Sequence, residues 1–96
     1  MSDAESIAIQ IDTLVPAAFV FLRDTKRVKV VRSLRVAPGV IVNLDSRGDL
    51  VAVELIGPAD LDFVMNEVAA RFGAPELTQL ETRRHVLEEV LSSPVH

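Results

Sequence analysis

Residues 40–56 read VIVNLDSRGDLVAVELI and decide the fold. Two nearly continuous apolar runs, 40–44 and 50–56, flank the tetrad DSRG at 45–48. An aspartate that opens a turn and a glycine at its left-handed position are typical of a β-hairpin with a type I turn and a glycine bulge. Because both flanks are nearly continuous in apolar residues, we expect these two strands at the centre of a sheet that is covered on both faces.

Three more strands are predicted upstream of this hairpin. Residues 6–11 alternate with isoleucine on one face, and residues 17–23 are rich in aromatic and β-branched side chains. Residues 27–34 alternate between charged residues and valine, and the phase slips at Val30–Val31, which indicates a bulge. The sheet is therefore predicted at about residues 6–57.

The apolar period changes from 2 to 3.6 residues after the hairpin, which predicts helices. A helical stripe of apolar residues runs from Leu61 to Phe72, so we predict a first helix at about 58–72 that ends at Gly73. A second helix is predicted at about 77–92, where Thr78 and Glu81 have the spacing of a capping box.

The order of these elements defines the fold class. The sequence predicts an α+β protein, an antiparallel meander of about five strands followed by two C-terminal helices. With 96 residues and no linker or repeat, residues 1–96 are predicted to form a single domain.

Composition excludes several classes of protein. Hydrophobic residues make up 49% of the chain, which is too many for a disordered protein and enough for a core. The absence of cysteine excludes disulfides, thiolate chemistry and cysteine-based metal sites. Residues 1–5 are polar and acidic, and the longest apolar runs are too short for a membrane span. We therefore expect a soluble cytoplasmic protein without a cofactor and without a membrane partner.

The positive charges of the chain are concentrated in one segment. The net charge is −4, yet residues 24–35 contain five cations: Lys26, Arg27, Lys29, Arg32 and Arg35. Cations are common on edge strands, where they prevent pairing with foreign strands, so an edge strand or an intersubunit strand is our leading interpretation. An acidic protein partner and nucleic acid are the alternatives, although no aromatic residue, glycine-rich loop or recognition helix accompanies the cations.

The hairpin partly matches a calcium-binding loop. Asn43, Asp45, Gly48 and Glu54 have the spacing of positions 1, 3, 6 and 12 of the EF-hand loop. Arg47 places a cation at a position that should supply an oxygen ligand, and the flanks are strands rather than helices. We therefore interpret the segment as a hairpin turn and predict no metal site.

Candidates for catalysis are few. Glu81 and His85 have the i, i+4 spacing of a weak metal site, but a surface ion pair is the commoner meaning of this spacing. We predict no catalytic residues. A small hydrolase or metal-dependent enzyme remains an alternative, and it would need a metal or a polar pocket near Asp45, Glu54 or His85.

The strand region resembles the bacterial domain-of-unknown-function family 2283. Residues 11–12 (Ile-Asp) and 17–20 (Ala-Ala-Phe-Val) are similar to its first block, and residues 40–56 are similar to its second. The resemblance covers about residues 7–57, with departures at four positions where the family favours Tyr, Asp, Asp and Gly: Ile11, Pro16, Asn43 and Ala52. It implies a compact strand-rich domain without an established activity. Some members are encoded beside small toxin-like proteins, which implies a protein partner.

The apolar surface of the predicted elements exceeds what one sheet and two helices can bury, which indicates a homodimer. We expect the second helix to supply part of this contact. The leading hypothesis is a non-catalytic interaction module that self-associates and binds a small protein partner, as an antitoxin does. Its predicted interaction surface combines eight residues: Lys26, Arg27, Lys29, Arg32, Arg35, Leu80, Leu87 and Leu91. Nucleic-acid binding through residues 26–35 is the alternative.

Overall fold

The computed structural model describes residues 7–12 and 14–92. In this part of the chain one antiparallel sheet precedes two helical segments, which confirms the predicted α+β fold class. The predicted first residue of the sheet, residue 6, and residues 93–96 lie outside the described residues. The five strands are β1 (Ala8–Asp12), β2 (Ala17–Phe21), β3 (Arg32–Ala37), β4 (Val40–Leu44) and β5 (Leu50–Ile56).

The strand order is β1-β2-β5-β4-β3. Strands β3, β4 and β5 are consecutive neighbours, and β5 then pairs with β2, so the connection at 22–31 carries the chain from β2 to the far edge of the sheet. This order places β5, in which five of seven residues are buried, at the centre and leaves β1 and β3 at the edges.

The turn between β4 and β5 has the predicted chemistry. Gly48 has φ +86°, the left-handed conformation that glycine adopts without strain. The Asp45 side chain accepts hydrogen bonds from the backbone N–H groups of Arg47 and Asp49, both at 2.9 Å. A register shift in the pairing of β4 with β5 lies at Asn43/Leu44. The predicted hairpin is thus confirmed.

The first helical segment comprises residues 61–71. It consists of α1 (Leu61–Phe63), a π-helical turn (Val64–Val68) and α2 (Ala69–Arg71). The Asp60 carboxylate accepts hydrogen bonds from the N–H groups of Asp62 and Phe63, at 3.0 and 3.2 Å, so the segment begins at residue 61 rather than at 58. It ends before Gly73, which has φ +61°, as predicted.

The second helical segment comprises residues 75–91. A 3₁₀-helix (Pro75–Arg83) leads into α3 (Arg84–Leu91). The segment begins two residues earlier than predicted because Pro75 suits the first turn of a helix, where its missing N–H costs nothing. The predicted capping box is wrong, since the Thr78 hydroxyl donates to the carbonyl oxygen of Pro75 at 2.8 Å.

Both helical segments pack on the same face of the sheet. The side chains of that face alternate along the strands with those of the opposite face. The sheet contributes six fully buried residues to the core: Ala18, Val20, Val40, Val42, Val53 and Leu55. The helical segments contribute five fully buried residues, Val64, Val68, Leu77, Leu80 and Leu87, and the nearly buried Leu61 and Leu91. This aliphatic layer is the core of the protein.

No described element packs on the opposite face of the sheet, so the expectation that β4 and β5 are covered on both faces is wrong. The two polar residues within their apolar runs, Asn43 and Glu54, share that uncovered face with Ile41 and Ala52. The alternation is difficult to recognise in the sequence because only two residues of these apolar runs, Asn43 and Glu54, are polar.

Candidate interaction surfaces

The five cations of residues 26–35 do not lie on one continuous strand. Asp24 folds the segment into a turn: its carbonyl oxygen accepts from the N–H groups of Arg27 and Val28 at 3.0 Å, and its side chain accepts from the N–H of Lys26 at 2.9 Å. Arg27 and Val28, the predicted first residues of the strand, belong to this turn. β3 therefore begins only at Arg32. The predicted bulge at Val30–Val31 is also wrong, since the irregularity of β3 lies between Arg35 and Ala37.

We call the set Lys26, Arg27, Lys29, Arg32 and Arg35 the basic edge. All five residues are exposed, and Arg32 and Arg35 lie on β3, an edge strand of the described sheet. No salt bridge joins any of them to an acidic residue within 7–12 and 14–92. The structure therefore places Arg32 and Arg35 on an edge strand, as the charge pattern indicates, and places the other three in the connection that leads to it.

The three leucines of the predicted surface do not belong to it. Leu80, Leu87 and Leu91 are 0%, 1% and 4% exposed and pack in the core of their own chain. They cover the strands on the helical face of the sheet, so none of them is available to a second subunit. The sequence pattern shows that this stripe is apolar but not what it covers, and here it covers its own sheet.

A surface that the sequence did not reveal lies on the uncovered side of the sheet. We call it the open face. The register brings together on it the apolar side chains of Ala17, Phe19, Phe21, Ile41, Ala52 and Ile56, and the polar side chains of Ser33, Arg35, Asn43 and Glu54. Ile56 is 42% exposed, and the rings of Phe19 and Phe21 stack with centroids 6.3 Å apart. Alternation along β2 could have suggested this face, but the strand order that assembles it is not local.

A hydrogen-bonded chain crosses the open face between three strands. The Ser33 hydroxyl donates to Asn43 Oδ1 at 2.6 Å, and Asn43 Nδ2 donates to Glu54 Oε2 at 3.1 Å. Asn43 is buried although it lies on this face. Its amide thus has partners on both sides within the sheet.

The calcium-loop interpretation is not supported by the positions of its residues. Asp45 pairs with Arg23, whose Nη2 lies 2.6 Å from Asp45 Oδ2, while Asn43 and Glu54 belong to the open face. Hydrogen bonds lower the pKa of Asp45 to about 2. The largest effect comes from the Arg23 guanidinium and the second largest from the backbone N–H of Asp49. The Asp45 carboxylate therefore stabilises the turn between β4 and β5.

This pair gives a testable pH dependence. Because the folded pKa of Asp45 is about 2 against an ordinary 3.8, its contribution is present above pH 3.8 and is lost as the pH falls toward 2. Between pH 3.8 and about pH 2 the free energy of unfolding should fall more steeply with pH for the wild type than for Asp45→Asn. The difference between the two slopes corresponds to slightly less than one proton taken up on unfolding. Urea titrations followed by circular dichroism at several pH values measure both slopes. Parallel curves would contradict this assignment.

Arg84 pairs with three acidic residues of the helical surface. Its guanidinium contacts Asp62 at 2.6 Å, Glu81 at 2.7 Å and Glu88 at 3.3 Å, and its hydrogen bonds lower the pKa of Asp62 and of Glu81. The expected pairing of Glu81 with His85 is replaced by this contact. Glu81 lies in the 3₁₀-helix, where residues three apart are aligned, so residue 84 faces it rather than residue 85.

Within 7–12 and 14–92 no group of three or more histidine, aspartate or glutamate side chains is placed to hold a metal ion. None of the helices described here has the length and apolar character needed to cross a membrane. Comparisons of the chain with models of known families, with curated proteins and with solved structures found no match. The resemblance to family 2283 therefore stays a prediction.

Proposed function

We propose that the protein is an interaction module that associates with a second copy of itself through the open face. The observation that supports this proposal is the composition of that face: aromatic and aliphatic side chains surround a polar centre whose hydrogen bonds are already made. The helical side of the sheet cannot serve this purpose, because its leucines are buried in the core.

The apolar part of the open face favours burial. Phe19 and Phe21 on β2 are half-buried, as is Ile41 on β4, and Ile56 is exposed. Each apolar square ångström removed from water contributes about 25 cal/mol in favour of association, before the entropic and desolvation costs of association are subtracted. Two sheets that pack face to face stand about 10 Å apart, a spacing that side chains of this size fill.

The polar centre does not oppose that burial. A polar group that loses water without gaining a partner is costly, but Asn43 already bonds Ser33 and Glu54. No fully buried side-chain nitrogen or oxygen among the described residues lacks a hydrogen-bond partner. The hydrogen bonds of Asn43 with Ser33 and Glu54 can therefore persist when a second sheet covers this centre.

The charges of the open face are arranged for a two-fold partner. Arg35 on β3 is paired in register with Ile41 on β4, which is paired with Glu54 on β5. The cation and the anion thus lie one strand to either side of β4, at a spacing of about 4.8 Å per strand. A two-fold axis along β4 brings Arg35 of each copy opposite Glu54 of the other, with the two Ile41 side chains in contact between them.

Ile41→Glu tests this interface by placing a charge at its centre. We expect the dissociation constant of the dimer to rise at least about tenfold, because the two new carboxylates would be buried opposite each other on the two-fold axis. Light scattering coupled to gel filtration, run over a series of concentrations, measures the change.

Val86→Glu is the matched control. Val86 lies on α3 and is 47% exposed, on the helical side that the sequence suggested as the interface. Its replacement should leave the mass unchanged. A wild type that stays monomeric, or a dimer that Val86→Glu dissociates and Ile41→Glu does not, would refute the proposal.

A further inference from the structure

The outer edge of β3 is a second surface, which shares Ser33 and Arg35 with the open face. We infer that this edge takes an acidic, extended segment of a partner protein as a sixth strand. The inference goes beyond self-association, and it uses the edge of the sheet rather than its face.

The backbone of β3 is prepared for strand addition. β3 pairs with β4 on one side and with no described strand on the other, so alternate N–H and C=O groups point outward from the sheet. Val31 N donates to Leu44 O at 2.8 Å, which extends the pairing one residue upstream of Arg32. Since the register becomes irregular only after Arg35, the regular edge spans residues 31–35, the length of a typical strand.

The charges of this edge select the partner. Lys29, Arg32 and Arg35 are exposed and form no salt bridge with a described residue. Lys29 and Arg32 are therefore available to an acidic side chain, and the five N–H donors of Arg35 let it contact one beside Glu54 of a second copy. A second copy of β3 is disfavoured here. An antiparallel pair centred between Ser33 and Leu34 would place Arg32 opposite Arg35 of the other copy, and like charges directly opposite destabilise a sheet. An acidic strand reverses the sign of both contacts.

The side chains along the edge define a pattern for that strand. Arg32 and Arg35 lie three residues apart, and Leu34 between them is 37% exposed. Residues directly opposite each other in neighbouring strands have their side chains on the same face. An antiparallel partner is therefore expected to read, from its N-terminus, acidic, apolar, polar, acidic, with its apolar residue on Leu34.

The probe is a fluorescein-labelled peptide with the central sequence Glu-Val-Thr-Glu, and binding is measured by fluorescence anisotropy. We expect the wild-type protein to bind it, with an affinity that falls as salt is raised. The same peptide with both Glu residues replaced by Lys should not bind. A peptide methylated at the backbone nitrogens of Val and Thr should bind at least tenfold more weakly, because one of these two N–H groups faces the edge whichever way the strand lies.

Two doubly substituted proteins locate the site. Lys29→Glu/Arg32→Glu changes the edge and keeps Arg35, which also lies on the open face. Arg71→Glu/Arg83→Glu makes the same change in net charge at exposed arginines elsewhere. We expect at least a tenfold loss of peptide affinity in the first variant and at most a twofold loss in the second. The dimer mass should be unchanged in the first variant, so a failure here is distinguishable from a failure of self-association.

Four outcomes would overturn the inference. They are the absence of binding to the wild type, an equal loss in both variants, undiminished binding of the methylated peptide, and binding of a single-stranded oligonucleotide in place of the peptide. The last, if Lys29→Glu/Arg32→Glu abolished it, would assign the basic edge to nucleic acid.

Discussion

Replacing Gly57 with alanine is expected to destabilise the fold by about 3 kcal/mol. A Cβ added at residue 57 would overlap the backbone carbonyl group of Leu91 at the end of α3, and the overlapping atoms belong to a backbone that cannot rotate away. The N–H of Gly57 also donates to the carbonyl oxygen of Pro16 at 2.7 Å, which fixes the residue from the other side. Either the last turn of α3 must detach from the sheet or the end of β5 must shift.

Urea unfolding followed by far-ultraviolet circular dichroism measures this loss. Gly73→Ala is the matched control, because Gly73 has φ +61° but open space around its Cα, so alanine there costs only the left-handed backbone strain, about 1–2 kcal/mol. A domain of this size has a total stability of roughly 5–15 kcal/mol, so both variants should remain folded and their losses can be compared. Equal losses in the two variants would show that α3 does not lie against Gly57.

Leu80→Ala is expected to lower the free energy of unfolding by about 3 kcal/mol and to leave the oligomeric mass unchanged. Leu80 is 0% exposed, and it packs in the same cluster as Val42 and Leu55 of the sheet. Truncation removes buried methyl groups and leaves a cavity that the close-packed sheet cannot collapse to fill.

Val86→Ala supplies the comparison for this prediction. Val86 lies one residue from Leu87 on α3 but is 47% exposed, so its truncation should change stability by no more than about 0.5 kcal/mol. Urea titrations measure the change in the free energy of unfolding of both variants, and light scattering measures their oligomeric mass. If Leu80→Ala dissociated a dimer and left the unfolding curve of the monomer unchanged, Leu80 would belong to an interface and its place in the core would be wrong.

Local chemistry determines the features that the sequence predicted well. Asp45 and Gly48 specify the β4–β5 turn through contacts within five residues, and Gly73 stops a helix by its own conformation. The strand order, by contrast, is not determined by local chemistry. Placing β5 beside β2 depends on which pairing buries the most apolar surface in the whole sheet, and no short window of sequence contains that comparison.

The interaction surfaces also were predictable only where local sequence determines them. The cations at 26–35 are visible in the sequence, and two of them do lie on an edge strand. The leucines were assigned to the wrong partner, because an apolar stripe at helical spacing has the same pattern whether it covers its own sheet or another subunit. Alternation along β2 suggests one strip of the open face, but its assembly could not be predicted, since Phe19, Ile41 and Glu54 come from three strands that only the register aligns.

Mixing two charge variants tests whether the protein associates through the open face about an axis along β4. In Arg35→Glu both contacts of the dimer become Glu opposite Glu, and in Glu54→Arg both become Arg opposite Arg, so each variant alone should have the monomer mass of 10.5 kDa in light scattering. In an equimolar mixture both contacts become Glu opposite Arg, and the mass should double. Variants that remain dimeric alone, or a mixture of folded variants that stays monomeric, would contradict the account.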